Sequence, residues 1–165
     1  MHFVKLAAVA AIGLVALAGC DRKPSGSQPG KTYDLTPESN ARFVADFAAG
    51  KDVHKTADGL LYRVVKAGTG ATAQSPADTA TVTYKGSRID GLVFDQTDPG
   101  QPRSFPIGRL IPGWVEALSM MREGDEWELV IPANLGYGDA GAGDQIPPNQ
   151  TLVFDMTLLK VQKTQ

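Results

Sequence analysis

Few side chains in this sequence are equipped for acid–base, nucleophilic or metal chemistry. The only histidines are His2 and His54, and the only cysteine is Cys20. Such a set excludes a multi-histidine or cysteine-rich metal site, and a single thiol excludes an intrachain disulfide framework. A Ser-His-Asp relay would have to use His54, and the sequence has no G-x-S-x-G elbow to present the serine. A lone histidine in a connecting segment reads as a solvated surface residue. No G-x-x-x-x-G-K-[ST] phosphate loop occurs. Gly136-Tyr137-Gly138-Asp139-Ala140-Gly141 does match G-x-G-x-x-G. A dinucleotide site needs a helix directly after that match, and Gly143-Asp144-Gln145-Ile146-Pro147-Pro148 cannot form one. Asp139 and Asp144 read as loop carboxylates that aid tight turns, not as an acid–base pair.

The unusual features are aromatic residues set among glycine and proline. They are Val82-Thr83-Tyr84-Lys85-Gly86, Asp90-Gly91-Leu92-Val93-Phe94-Asp95, Leu110-Ile111-Pro112-Gly113-Trp114, Leu135-Gly136-Tyr137-Gly138, and the stretch from Ile146-Pro147-Pro148 through Leu152-Val153-Phe154-Asp155.

The elements that must position these residues can be read from periodicity. The chain has 165 residues, 42% hydrophobic and 21% charged, with a formal net charge of -2. That is a globular composition without the basic footprint of a nucleic-acid binder. Its 18 glycines and 11 prolines favour turns over long helices. Thr36-Pro37 starts a helix, as N-cap and first helical residue. Phe43, Val44, Phe47 and Ala48 give it an apolar stripe, and Gly50 stops it. The stripe suits packing on the chain's own domain or against a partner, with the first slightly favoured. Strands are expected at 60–65, 79–84, 93–94, 104–107, 127–131 and 152–161, and Asp90-Gly91 marks a hairpin tip. Trp114, Leu118 and Met121 share one helical face, which predicts a short helix over 113–121. Strands joined by turns with one covering helix make an α+β domain with an antiparallel sheet of five or six strands, preceded by an extra helix.

The front of the chain reads differently. Residues 6–18 carry no charge or strongly polar side chain, and Lys5 flanks them. The run is shorter than the about 20 residues of a membrane span and has the length of a signal-peptide core. It ends in Leu17-Ala18-Gly19-Cys20, which resembles the bacterial lipoprotein box, with cleavage before a cysteine that is then lipidated. Asp21 after the cysteine resembles an inner-membrane retention signal, a rule that varies between bacteria. Residues 21–33 are rich in Pro, Gly and Ser and contain no aliphatic residue, the composition of a tether. The expected organisation is therefore a signal at 1–19, a lipidated Cys20 and tether at 20–33, a helical segment at 34–56 and a domain at 57–165.

In order and spacing, the five motifs closely resemble the FKBP-type peptidyl-prolyl cis-trans isomerases, from about Asp58 to Val161. The segment from Asn40 to Tyr62 is similar to the bacterial macrophage infectivity potentiator subgroup. The resemblance implies a twisted antiparallel sheet wrapped around a short helix, with a pocket between them. It also implies an isomerase that needs no nucleophile, metal or cofactor. Carried over motif by motif, Tyr84, Phe94, Asp95 and Tyr137 are the implied catalytic residues. Leu110, Ile111, Trp114, Ile146 and Phe154 are the implied substrate-binding ones. Trp114 would lie under the proline ring, and Phe94, Ile111 and Phe154 would exclude water. The Tyr137 hydroxyl and the Ile111 N–H would donate to peptide carbonyls, and Asp95 would orient the site partly through Tyr84. Without the motif, Trp114 and Phe154 serve equally well as plain core residues.

The implied partners are proline-containing segments of exported proteins, the membrane through Cys20, and a macrolide of the tacrolimus or rapamycin type. The implied location is the bacterial cell envelope, facing the periplasm or the exterior. Three departures from the family pattern bear on substrate preference, macrolide affinity and efficiency. Gln96-Thr97 follows Phe94-Asp95 where a serine is frequent. Arg103 stands where some relatives have a second aromatic, which opens one pocket wall or makes it polar. Gln145 precedes Ile146 where an aliphatic is common. Two other readings use the same features: a non-catalytic chaperone working through this pocket, and a tethered interaction protein working through the Phe43/Phe47 helix.

Overall fold

A computed structural model describes residues 31–164. The expected signal segment, Cys20 and residues 21–30 of the expected tether lie outside the described residues.

The alternation that begins at Thr79 becomes the spine of the sheet. Strand β3 (Thr79–Arg88) turns Ala80, Val82 and Tyr84 to one face and its threonines to the other. Along one edge it pairs with β7 (Leu152–Gln162) over its whole length. Beyond β7 come β6 (Glu126–Ile131), β2 (Leu61–Lys66) and β1 (Val53–Lys55), in the order β1-β2-β6-β7-β3-β4. The other edge of β3 is shared. Strand β4 (Val93–Gln96) takes Lys85 to Ser87, and β5 (Arg103–Pro106) takes Thr79 to Val82. All pairings are antiparallel. Helices α1 (Pro37–Ala48) and α2 (Pro112–Met120) complete the α+β architecture. The sheet has seven strands, six of them within the expected 57–165 and one, β1, before it. The unexpected strand is β1, whose three residues are too few to carry an alternation signal. Backbone pairing with β2 defines it instead.

The two faces of the sheet bury separate cores. On one face, α2 sets Trp114, Ala117 and Leu118 against Trp127, Leu129 and Ile131 of β6 and Phe154, Met156 and Leu158 of β7. On the opposite face, α1 buries Phe43 and Phe47 against Leu61, Val130, Val153 and Ile89. Each buried phenylalanine contributes about 1.5–3 kcal/mol relative to exposure. The two phenylalanines of the α1 stripe are thus covered within the chain, while Val44 is half-buried and Ala48 is exposed. The helix starts as its residues dictate: Thr36 accepts the Ser39 N–H at 3.2 Å, and Pro37 occupies the first turn.

Tyr33, placed in the tether by composition, belongs to the folded body. Its ring meets Phe43 edge-on at 4.9 Å, and its hydroxyl donates to Asp46 at 2.8 Å. A hydroxyl that finds an acceptor lets a tyrosine be buried, which the surrounding polar sequence conceals. His54 is exposed on β1, where its ring stacks on Tyr62 at 5.1 Å.

A buried polar knot ties α1 to the segment before β7. The Asn40 amide donates to Gln150 Oε1 at 3.2 Å and to the Thr36 carbonyl at 2.9 Å, and its oxygen accepts the Thr151 N–H at 2.7 Å. Gln150 in turn donates to the carbonyls of Leu35 and Pro148, both at 3.1 Å. Every donor in the knot finds an acceptor, so its burial is not penalised. Because the Asn149 N–H donates to the Gly138 carbonyl at 2.8 Å, the knot reaches the loop that carries Tyr137.

Candidate active site

The site is built on Trp114, and glycine decides where Trp114 can stand. Gly113 lies against β6 so closely that a Cβ there would be 2.6 Å from Ile131 Cγ2. A larger residue would lift α2 off the sheet. With the helix seated, three rings meet the indole edge-on: Tyr84 at 4.9 Å, Phe154 at 5.2 Å and Phe105 at 6.1 Å. Edge-to-face packing of this kind is favourable beyond burial alone. The indole N–H is buried without a partner among the described residues, so packing alone orients the ring.

Gly86 plays the same part on the opposite wall. A Cβ at this position would come within 2.9 Å of the Phe94 ring and 2.5 Å of the Phe154 ring. Its absence lets those rings meet edge-on at 5.6 Å. The β3–β4 ladder pairs Gly86 with Asp95 and Ser87 with Val93, leaving Phe94 as an extra residue. On a regular strand, Phe94 and Asp95 would point to opposite faces. The bulge breaks that alternation, and both side chains line one cavity.

Asp95 belongs to a polar brace. The Tyr84 hydroxyl donates to Asp95 Oδ2 at 2.5 Å, and Arg103 Nη1 donates to Tyr84 Oη at 3.0 Å and to Asp95 Oδ1 at 3.1 Å. Thr97 fills the gap between β4 and β5, its hydroxyl accepting the Tyr84 N–H at 3.1 Å. Burial, and then the Asp95 carboxylate, push the Tyr84 phenol up to about 12. Burial raises Tyr137 as well, with a smaller contribution from Asp95. Neither hydroxyl loses its proton near neutrality, so both are donors there. Ile111, the N-cap of α2, accepts from Trp114 and Val115, while its own N–H has no acceptor among the described residues.

These groups enclose about 260 Å³, lined by Tyr84, Phe94, Asp95, Leu110, Ile111, Trp114, Tyr137 and Phe154, together with Phe105 and Arg109. Of the residues read from sequence, Ile146 alone lies elsewhere. It is buried, and it lines a neighbouring hollow with Phe94, Ala142 and Gln145. Ala142 and Ile146 exchange backbone hydrogen bonds, which turns this segment aside from the cavity. Phe105 and Arg109 were not anticipated. Phe105 carried a signal, since it sits in a short strand two residues from Arg103. Arg109 carried none beyond standing next to Leu110. Arg103 makes the wall polar through the brace.

A larger hollow of about 540 Å³ opens on the opposite face of the sheet, lined mainly by polar and charged side chains including Arg63, Lys85, Glu126, Glu128 and Asp155. Tyr84 is the single aromatic residue in its lining, and Arg63 pairs with Glu128 inside it. Among the described residues, no group of three or more His, Cys, Asp or Glu side chains could hold a metal ion.

Comparison with known proteins identifies the family of the fold. The family model for FKBP-type peptidyl-prolyl cis-trans isomerase matches residues 70–159. A probable FKBP-type peptidyl-prolyl cis-trans isomerase of Haemophilus influenzae is 45% identical over 125 residues, covering 75% of this chain and 52% of that protein. The outer membrane protein MIP of Legionella longbeachae is 47% identical over 106 residues, covering 64% of this chain and 45% of that one. The crystal structure of a peptidyl-prolyl cis-trans isomerase from Pseudomonas syringae superposes with a TM-score of 0.71 at 37% identity, covering 76% of this chain and 92% of that one. The chain belongs to the FKBP-type peptidyl-prolyl cis-trans isomerase family. It spans about half the length of the Haemophilus and Legionella relatives.

The brace predicts an alkaline signature. Tyr84 rises from 10.0 to about 12 on folding, so the unfolded chain releases this proton first. Its contribution to stability is complete below pH 10 and is lost as pH climbs towards 12. Denaturation of the wild type and of Tyr84→Phe across this range should show a stability gap that is constant below pH 10 and then shrinks. A gap that widens with pH would contradict the assignment. Subtracting the variant also separates Tyr84 from Tyr33, which is likewise pushed up to about 12.

Proposed function

We propose that this chain accelerates cis–trans rotation about X-Pro bonds in proline-containing segments of exported proteins. The observation that carries the proposal is the aromatic cavity with Trp114 as its floor, a free Ile111 N–H at one end and the Tyr137 hydroxyl in its lining. The reaction makes and breaks no covalent bond. Rotation costs about 18–20 kcal/mol because amide resonance is lost halfway, and unaided X-Pro bonds turn over in tens to hundreds of seconds. The twisted amide holds less charge on its oxygen than the planar one. A site that removes water therefore raises the planar state relative to the twisted one. The proline ring stacks on Trp114, while Phe94, Ile111 and Phe154 exclude water. Ile111 N–H and Tyr137 Oη hold the flanking carbonyls, so rotation is confined to one bond. Asp95, paired with Arg103, holds the Tyr84 hydroxyl in the cavity wall. A 10⁴-fold acceleration needs only about 5.5 kcal/mol of differential stabilisation. A macrolide of the tacrolimus or rapamycin type would occupy the same cavity.

Exchange NMR on a Leu-Pro peptide with the full chain tests this. The folded wild type should exceed the uncatalysed rate. Tyr137→Phe should lower kcat/KM by about two- to tenfold, the value of one neutral hydrogen bond, and Asp95→Ala should lower it as well. A folded chain that binds the peptide without accelerating exchange would leave the non-catalytic chaperone reading in its place.

We also propose that the chain is held at the cell envelope by lipidation of Cys20, facing the periplasm or the exterior. The lipoprotein-like Leu17-Ala18-Gly19-Cys20 and the name of the Legionella relative support this. Fractionation of cells expressing the full chain should find the wild type with membranes and Cys20→Ser released. A Cys20→Ser protein that stays membrane-bound would remove the lipid anchor from the account.

A further inference from the structure

The mouth of the cavity carries a charge that amide rotation does not require. Asp95 is the one carboxylate lining the cavity, and Arg103 compensates it with an ion pair of 3.1 Å. Arg109 also lines the cavity. It is exposed, and among the described residues it has no hydrogen bond or ion pair. With Asp95 and Arg103 cancelling, the mouth is left with the positive charge of Arg109. Arg103 itself stays half exposed, and only its Nη1 is engaged by the brace, so its other donors remain available to a ligand. Both arginines lie on the segment that runs from β5 into α2. Phe105, Leu110 and Ile111 line the same cavity as Arg109, and apolar neighbours reduce the screening of a charge held there.

We propose that the site selects prolines with an acidic neighbour, Asp or Glu adjacent to the proline, whose carboxylate pairs with Arg109 and with the spare donors of Arg103. The inference rests on the isomerase reading and adds a substrate class to it. Guanidinium groups match carboxylates in shape, with parallel donors meeting parallel acceptors. A basic neighbour would meet two cations and a carboxylate already paired. Pairs this exposed are weak, so the selection amounts to about two- to fivefold in kcat/KM. It should also be sensitive to salt.

The comparison that tests it holds size and polarity constant. Exchange NMR with the full chain gives kcat/KM for Ala-Glu-Pro-Phe against Ala-Gln-Pro-Phe, and for Ala-Leu-Pro-Glu against Ala-Leu-Pro-Gln. In at least one pair the Glu:Gln ratio should exceed about two at low salt. It should fall towards one at about 1 M salt, where the Debye length is near 3 Å. It should also fall in Arg109→Gln. Ratios at or below one in both pairs, or a ratio indifferent to Arg109→Gln, would overturn the selection. If no peptide is turned over, the isomerase reading fails by itself. The Glu:Gln ratio of dissociation constants, measured by titrating the same peptides, then decides the selection by the same criteria.

Discussion

Helix α2 can lie against β6 only because Gly113 presents no side chain to Ile131, and the rest of the site depends on that contact. A helix lifted by even one methyl group would carry Trp114 away from Tyr84, Phe105 and Phe154, whose ring edges hold the indole. It would also move Ile111, whose N–H is free because Ile111 caps this same helix. One close approach thus places both the apolar floor and a polar donor. Gly86 acts similarly at the Phe94–Phe154 wall. Sequence and packing meet at these two glycines: the proposed rotation calls for a dry aromatic hollow, and α2 on β6 and the Phe94–Phe154 rings come this close because the backbone there has no Cβ.

The polar groups then act as a frame around that hollow. Tyr84, Asp95 and Arg103 satisfy one another, so Asp95 stays where the bulge at Phe94 aims it. On the far side of the sheet, α1 buries a separate apolar core, and Asn40 links it through Gln150 and Thr151 to the loop of Tyr137. The helix for which packing on its own domain was slightly favoured over a partner does serve the domain, as a brace behind the Tyr137 loop.

Much of this was legible from residue order. The alternation from Thr79 announced the central strand, and Trp114, Leu118 and Met121 announced the face of α2. Family motifs gathered eight of the cavity residues. What escaped has identifiable causes. Strand β1 is too short to show a period. The bulge that turns Phe94 and Asp95 to one side is a property of cross-strand register, which no local pattern encodes. Arg103 appeared as a departure that opened or polarised a wall, and only the fold reveals that it fastens Tyr84 to Asp95. Ile146 followed its motif, but backbone bonds to Ala142 take it into the adjoining hollow. Tyr33 was hidden among tether residues because its partner, Phe43, lies on α1.

The central claim is that the cavity speeds rotation by drying and confining the amide, with no proton moved by Asp95, Tyr84 or Tyr137. The pH profile of kcat/KM, together with its solvent deuterium isotope effect, measures this directly. The account predicts a profile that is flat from about pH 6 to pH 8.5 and an isotope effect near one, because no general acid or base takes part. A bell-shaped profile, or an isotope effect of about two or more, would mean that a proton is in flight in the transition state and would contradict the account.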